Sequence, residues 1–159
     1  MSFRLCLFAA ALLASSCKST TPAAPQIDPQ AKVAFITPVE GEVAPQILKR
    51  MTEVKDRRLI VYVSAPWCEP CRRFHAAVDR GELTGKIGNV DFMAFDAEPD
   101  AERLFMSGYE QRMIPAFTIP AADGRASAQH MEGGLTGEGA VADLVPRILA
   151  MLRTPAFER

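Results

Sequence analysis

The sequence has no excess of charge of either sign. Its 159 residues include 18 Lys and Arg against 19 Asp and Glu, for a formal net charge of -1 at pH 7. Proteins that bind nucleic acid neutralise phosphates with an excess of basic side chains, so we expect no nucleic acid partner. The length excludes a large multidomain architecture and fits one domain of ordinary size.

The chain also lacks an apolar run long enough to cross a membrane. The run from Leu5 to Ala14 has ten residues, whereas a helix needs about 20 to span a bilayer. Arg4 precedes this run and small residues follow it, which is the pattern of a secretory signal. We therefore expect residues 1–16, with Cys6, to be a signal peptide that directs the domain out of the cytoplasm.

The end of this segment resembles the lipobox of bacterial lipoproteins, in which the signal is cut just before a lipidated cysteine. The residues that carry the resemblance are Ala14-Ser15-Ser16-Cys17. It implies that Cys17 is lipidated and that the lipid anchors a periplasm-facing domain to a membrane of the bacterial cell envelope. Two alternatives remain: an ordinary secretory signal, which would give a secreted or periplasmic protein, and a retained N-terminal anchor.

Residues 17–30 contain three prolines and almost no large apolar side chain. Such a segment cannot bury enough surface to fold, so we predict a flexible tether. The folded domain is then expected over residues 31–154. A domain of this size buries about two-thirds of the surface of its unfolded chain and needs no additional covalent link for stability.

From Val33 onward, short apolar strands alternate with helical patterns, which is typical of an α/β fold. The continuous run from Leu59 to Ala65 is apolar on both faces and predicts a strand in the centre of a sheet. The pair Asp123-Gly124 is a hairpin signal, so the strands on either side of it should be antiparallel neighbours. The other predicted elements are strands at Val33–Ile36, Val90–Phe95, Ala116–Ile119 and Ser127–Met131, and helices that begin near Pro45, Cys68, Asp96 and Gly139.

Cys68 and Cys71 lie at the junction between the central strand and the next helix. The unpaired N–H groups and the dipole at a helix N-terminus stabilise negative charge, which favours a thiolate at Cys68. Cys71 follows one helical turn later, where it can attack a mixed disulfide formed at Cys68. The pattern predicts that Cys68 is an exposed nucleophile and that Cys71 is the more buried, resolving cysteine.

A zinc site is the alternative interpretation, because Cys68, Cys71 and His75 have ligand-like spacing. A structural zinc ion needs four ligands, and the one other histidine, His130, is far along the chain. We therefore expect no metal and no cofactor. We expect His75 on the helix surface rather than in the role of an acid-base group, and we expect His130 to be solvated or structural. Tyr62 and Phe74 are expected in the core, as are the seven methionines, which include Met93, Met106, Met113 and Met131.

Two motifs in this order of strands and helices resemble those of the thioredoxin family. They are Ala65-Pro66-Trp67-Cys68-Glu69-Pro70-Cys71 and Tyr109-Glu110-Gln111-Arg112-Met113-Ile114-Pro115. The resemblance covers about residues 33–152 and implies a thioredoxin fold, with a central mixed sheet flanked by helices. The segment from Asp96 to Met106 is similar to the C-terminal domain of the transmembrane thiol-disulfide interchange reductases.

The resemblance implies a thiol-disulfide oxidoreductase that exchanges disulfides with protein substrates and receives electrons from an upstream thiol donor. It further implies a cis peptide bond between Ile114 and Pro115, facing the dithiol. In the family, the residue before this proline offers its backbone to an extended substrate segment, and here that residue is Ile114. Trp67 adds apolar surface beside the sulfur, and Pro70 rigidifies the first turn of the helix.

The direction of electron flow is predicted from two residues beside the cysteines. Glu69 places a negative charge next to Cys68, which disfavours the thiolate and goes with a more reducing pair. Strong oxidants of this fold usually have histidine where this chain has Pro70. We therefore expect a reductant.

The buried carboxylate that the family carries six residues before its first cysteine is replaced by Tyr62. Glu69, Asp96 or water is then left to accept the proton of Cys71. The alternative to an enzyme is a non-catalytic binding or assembly lipoprotein of the same fold, in which Cys68 and Cys71 form only a structural disulfide.

Overall fold

A computed structural model describes residues 28–154 of the chain. The predicted signal peptide, the lipidation site Cys17 and residues 17–27 of the tether lie outside the described residues, so these stay predictions. Residues 28–30 are exposed and Ala31 is buried. No helix within residues 28–154 is both long enough and apolar enough to span a bilayer.

Five strands form one mixed sheet with helices on both faces. The strands are β1 (Val33–Ile36), β2 (Arg58–Ser64), β3 (Val90–Asp96), β4 (Ala116–Pro120) and β5 (Ala126–Glu132). The helices are α1 (Val43–Glu53), α2 (Glu69–Asp79), α3 (Ala101–Met106) and α4 (Ala140–Arg153), and a 3-10 turn covers Gly137–Gly139. The strand order is β1-β3-β2-β4-β5, which confirms the predicted α/β class and sheet.

The strand β2 lies in the middle of the sheet, as predicted. It pairs in parallel with β3 and antiparallel with β4. Successive side chains of a strand point to opposite faces: Tyr62 is buried with Phe74 and Leu144 of α2 and α4. Val61 is buried on the other face with Ile47 of α1. Burial on both faces explains why this strand has a continuous apolar run.

The predicted hairpin is also confirmed, because β4 and β5 are antiparallel neighbours. Its turn closes through a hydrogen bond of 3.0 Å from the N–H of Gly124 to the carbonyl of Ala121. Gly124 has a φ of 80°, which a residue without a Cβ adopts at no steric cost.

One element differs from the prediction, because α3 begins at Ala101 and not near Asp96. The residues between them form a turn that side chains close. The N–H of Asp96 donates to Asp100 Oδ2 at 2.8 Å, and the N–H of Glu98 donates to Asp96 Oδ1 at 3.0 Å. The second bond is an Asx turn, so the chain turns here before the regular helix begins at Ala101.

A buried ion pair joins the sheet to the segment before β2. Asp91 of β3 is 2% exposed and accepts hydrogen bonds from Arg50 Nε at 3.2 Å and from Arg57 Nε at 2.6 Å. Arg57 also donates to the carbonyls of Lys32 and Val90, each at 3.0 Å. This cluster therefore connects α1, β1 and β3.

Candidate active site

Cys68 and Cys71 form a disulfide at the junction of β2 and α2, with their Cα atoms 5.2 Å apart. Cys68 is the N-cap residue of α2, and Pro70 lies in the first turn. The Sγ of Cys68 accepts a hydrogen bond of 3.3 Å from the backbone N–H of Cys71. That amide is one of those a helix leaves unpaired in its first turn, so the predicted place of the cysteines at a helix N-terminus is correct.

Both cysteines are buried in this disulfide form. The exposed fraction is 4% for Cys68 and 1% for Cys71, so the expectation of an exposed Cys68 is wrong here. The reason is an apolar cluster that packs around the disulfide and consists of Ala65, Ala97 and Ile114.

The second predicted motif lies against the disulfide. The peptide bond between Ile114 and Pro115 is cis, which is the isomer that the resemblance implied. Ile114 is half-buried and packs against the cluster of Ala65, Cys68 and Cys71. Pro115 is buried, and its carbonyl accepts a hydrogen bond of 2.8 Å from the N–H of Gly133. The fold thus brings together two motifs that are far apart in the sequence.

An open cavity of about 510 Å³ lies beside this cluster, and we call it the Trp67 groove. Trp67 is 63% exposed and Met113 is 60% exposed. The side chain of Met113 lies next to Gly133. The groove is lined by Trp67, Ala97, Gln111, Arg112, Met113, Ile114, Gly133 and Gly134. Exposed apolar surface of this kind is typical of a site where another chain packs.

Two of the methionines expected in the core are exposed. Met113 belongs to the loop before β4 and forms part of the groove wall. Met106 is the last residue of the short helix α3 and is 67% exposed. Met93 and Met151 are buried, and Met51 and Met131 are partly buried, so the prediction is correct for these four methionines.

Sequence reasoning missed three residues that hold the groove in shape. The indole N–H of Trp67 donates to Glu98 Oε1 at 2.8 Å. A carboxylate oxygen of Glu132 accepts from the N–H groups of Arg112 and Met113, at 3.1 and 3.3 Å. Arg147 of α4 donates to the carbonyls of Glu132 and Gly133, at 2.7 and 2.8 Å. Trp67 and the loop of Met113 are therefore both held by hydrogen bonds.

A signal in the sequence could have found only one of these residues. The strands β2 and β3 are parallel neighbours, so the residues that follow them meet at one edge of the sheet. Trp67 and Glu98 follow these two strands. Glu132 and Arg147 carry no comparable pattern, because their contacts depend on the way the loops fold.

Glu69 is paired with other groups, and its predicted effect on the Cys68 thiolate stays a prediction. Arg73 donates to Glu69 Oε1, and the N–H of Gly137 donates to Oε2 at 3.1 Å. These hydrogen bonds lower the pKa of Glu69 below its ordinary value. The carboxylate is thus held by groups on α2 and in the turn before α4, and its charge is paired with Arg73.

A second cavity of about 400 Å³ borders Cys71, and we call it the Cys71 cavity. Its lining consists of Ser64, Ala65, Pro66, Cys71, Arg72, His75, Ala76, Asp79 and Asp96. Asp96 was expected as one of the possible proton acceptors for Cys71, and it lies in this lining. The expectation that His75 lies on the helix surface is wrong, because the ring is half-buried.

The ring of His75 packs between two aromatic side chains. It stacks on Phe35 of β1 with centroids 4.1 Å apart, and its centroid is 5.3 Å from that of Tyr62. Burial lowers the pKa of His75, and the nearby carboxylate of Asp79 partly offsets this. The other histidine, His130 on β5, is exposed as predicted.

Tyr62 is fully buried, as predicted for a core residue. Its hydroxyl has no hydrogen-bond partner within residues 28–154. Burial raises the pKa of the Tyr62 hydroxyl. The nearby side chain of Ser64 lowers this pKa, but by less than burial raises it. The phenol is therefore neutral over the physiological pH range.

Comparison with known proteins places these features in a family. Residues 42–145 match the family model of thioredoxin, and this range includes both motifs. No curated protein matches the chain. Among solved structures, the chain is similar to the oxidised thioredoxin from Plasmodium falciparum, with 17% sequence identity, coverage of 73% of this chain and 97% of that chain, and a TM-score of 0.44. Within residues 28–154, no group of three or more His, Cys, Asp or Glu is arranged to hold a metal ion.

Proposed function

The chain belongs to the thioredoxin family, and from this premise we propose that it is an envelope thiol-disulfide oxidoreductase that reduces disulfides in protein substrates. The observation that carries the proposal is the Cys68–Cys71 disulfide at the N-terminus of α2, packed against Ile114. The residues of the site are those that disulfide exchange requires: a nucleophile at a helix N-terminus and a second thiol one turn away.

The exchange has two steps. In the reduced form, the Cys68 thiolate attacks one sulfur of a substrate disulfide, so that a mixed disulfide forms and the other substrate sulfur leaves as a thiolate. The Cys71 thiolate then attacks Cys68 Sγ, which forms the Cys68–Cys71 disulfide and releases the remaining substrate sulfur. The substrate gains two electrons and the protein loses two, so an upstream thiol donor must reduce the protein again.

The Trp67 groove supports a protein substrate. The indole N–H of its exposed Trp67 donates to Glu98, and the backbone N–H of its exposed Met113 donates to Glu132. An extended substrate segment in this groove would lie beside the backbone of Ile114, which the resemblance assigns to substrate binding. Pro70 completes the site by fixing the first turn of α2.

The proposed direction, reduction of substrates, is supported by the weak stabilisation of a Cys68 thiolate. Cys68 Sγ receives a hydrogen bond from one backbone amide. The two basic side chains that follow Cys71 are engaged elsewhere, since Arg72 donates to the carbonyl of Pro66 at 3.0 Å and Arg73 pairs with Glu69. Strong oxidants of this fold stabilise the reduced, thiolate form, and Pro70 brings no charge to do so.

The proposed location is supported by the sequence Ala14-Ser15-Ser16-Cys17. Labelled palmitate supplied to bacteria that express the full chain should be incorporated into the wild type, and Cys17→Ser should remain unlabelled. A wild-type protein without label, found in the soluble periplasmic fraction, would support an ordinary secretory signal and refute lipid anchoring.

The proposed activity is tested by the reduction of insulin with dithiothreitol. Wild type should accelerate the precipitation of reduced insulin, whereas Cys68→Ser should leave the rate at that of dithiothreitol alone. A second candidate is a non-catalytic binding module with a structural disulfide, which the burial of both cysteines favours. Equal rates for wild type and Cys68→Ser would support this second candidate and overturn the enzyme.

A further inference from the structure

The resolving step requires that Cys71 lose its proton, because the thiolate and not the thiol attacks a disulfide. In the family, a buried carboxylate stands at the position that Tyr62 occupies here. Tyr62 is packed among Phe35, Phe74 and Phe117, and burial raises the pKa of its hydroxyl. A neutral phenol of this kind cannot accept a proton from a thiol, so another group must do so.

We propose that His75 accepts the proton of Cys71 across the Cys71 cavity during the resolving step. The inference rests on the proposed function and names the base that this function needs. His75 follows Cys71 by four residues on α2, so the two side chains lie on the same face of the helix, one turn apart. Both line the Cys71 cavity, whose polar lining and volume of about 400 Å³ leave room for a water molecule to carry the proton.

The packing of His75 fixes the ring at the edge of the cavity. The stack on Phe35 covers one face, with centroids 4.1 Å apart and an angle of 17° between the planes. Tyr62 packs against the ring as well, at 5.3 Å. Neither neighbour carries a charge, so the imidazole has largely apolar contacts on the side away from the cavity that His75 and Cys71 both line.

The charged groups around the cavity leave His75 neutral near pH 7. Asp79 and Arg72 face it from α2, and Asp96 faces it from the end of β3. Phe35 of β1 and Ser64 of β2 bring no charge. Burial lowers the pKa of His75 more than Asp79 raises it, so the ring has a free nitrogen lone pair with which to accept a proton.

Asp96 is the rival acceptor in the same cavity. One of its carboxylate oxygens accepts the N–H of Glu98 at 3.0 Å. In ordinary surroundings an imidazole is the better base toward a thiol, with pKa values of about 6.5 for histidine, about 4 for a carboxylate and about 8.5 for a thiol. Burial of His75 narrows this difference. General base catalysis is most efficient with a group whose pKa is near the working pH. Both arguments favour His75.

The protons and electrons of the step balance as follows. Cys71-SH transfers its proton to neutral His75 and becomes a thiolate. The thiolate forms a bond to Cys68 Sγ, the bond from Cys68 Sγ to the substrate sulfur breaks, and that sulfur leaves with the electron pair. The proton on His75 then passes through water to the departing thiolate, so that the product is a substrate thiol and His75 is neutral again.

The test follows the two steps of exchange separately in a stopped-flow experiment. Reduced protein is mixed with 5,5'-dithiobis(2-nitrobenzoate), a small aromatic disulfide that releases one coloured thiolate when Cys68 attacks and a second when Cys71 resolves. The matched variant is His75→Phe, which keeps an aromatic ring on Phe35 and removes the nitrogens. The control is His130→Phe, which changes the other histidine of the chain, on the exposed side of β5.

We expect His75→Phe to slow the second phase by about a hundredfold at neutral pH, the lower end of the range for general base catalysis, and to leave the first phase unchanged. The second-phase rate of wild type should be nearly level from about pH 6.5 to 8. In His75→Phe it should rise about tenfold per pH unit, since the thiolate fraction then limits the rate. His130→Phe should behave as wild type.

An unchanged second phase in His75→Phe, with the wild-type pH profile, would overturn the proposal. The proposal would also be overturned if Asp96→Asn slowed the second phase and His75→Phe did not, because Asp96 would then be the group that accepts the proton of Cys71. The small disulfide reacts in both phases even if no protein substrate is reduced. A failure of the proposed function in the insulin assay is therefore distinguishable from a failure of this inference.

Discussion

Met113 offers a direct test of whether the Trp67 groove binds protein substrates. Its side chain is 60% exposed beside Trp67, at the point where a bound chain would cover it. We predict that Met113→Ala weakens the binding of a protein disulfide substrate and leaves the chemistry at Cys68 intact. The KM for insulin should therefore rise while kcat stays close to that of wild type.

The size of the effect follows from the exposed fraction. Complete burial of a methionine side chain is worth about 1.5 to 3 kcal/mol. A substrate can cover only the part of Met113 that is exposed, 60% of it, and alanine keeps a small share of that contact. The expected loss is about 1 kcal/mol, which corresponds to an increase in KM of about fivefold.

The assay compares insulin with the small disulfide 5,5'-dithiobis(2-nitrobenzoate), which does not extend along the groove. The control is Met106→Ala, since Met106 is 67% exposed but belongs to α3 and is not part of the groove lining. Met113→Ala should raise the KM for insulin alone, and Met106→Ala should change neither substrate. If the two variants have the same KM for insulin, the groove is not where the substrate binds.

Two further predictions concern stability. Asp91→Ala leaves the guanidinium groups of Arg50 and Arg57 without their buried partner. It should reduce the free energy of unfolding, measured with urea, by about 3 kcal/mol. The control is Glu53→Ala, which breaks an exposed ion pair and should cost less than about 1 kcal/mol; an equally small loss for Asp91→Ala would contradict the prediction. The pKa of the Glu69 carboxyl is lower in the folded state than its ordinary value of 4.5. The ionised carboxylate therefore contributes its full stabilisation of the fold above pH 4.5, and this contribution is lost as the pH falls through the folded pKa. Wild type should accordingly be more stable than Glu69→Gln at pH 7, with a difference that shrinks below about pH 4.5, and a difference that is independent of pH would refute the pairing of this carboxylate.

Patterns of local sequence were sufficient to predict the sheet and the position of the cysteines. The continuous apolar run of β2 predicts a strand buried on both faces, and the structure has it between β3 and β4. The turn at Asp123-Gly124 needs a residue with positive φ, so it also has a local signal. These features depend on neighbours within a few residues, which is why the sequence alone predicts them.

The surroundings of the disulfide depend on contacts between distant segments. The expected surface position of His75 was wrong because Phe35, forty residues earlier, covers the ring. The charge of Glu69 was expected to act on Cys68, but Gly137 and Arg73 hold the carboxylate. Both sets of contacts were missed because the pattern of one helix does not specify which other elements pack against it.

The central claim, that Cys68 exchanges disulfides with protein substrates, is tested most directly by trapping the mixed disulfide. The variant Cys71→Ser, expressed with its native partners, cannot carry out the resolving step. The account predicts that it accumulates substrate proteins bound through Cys68, that reduction releases them, and that the double variant Cys68→Ser, Cys71→Ser retains none. A Cys71→Ser variant with no adduct on Cys68, under conditions where the wild type cycles between dithiol and disulfide, would contradict it.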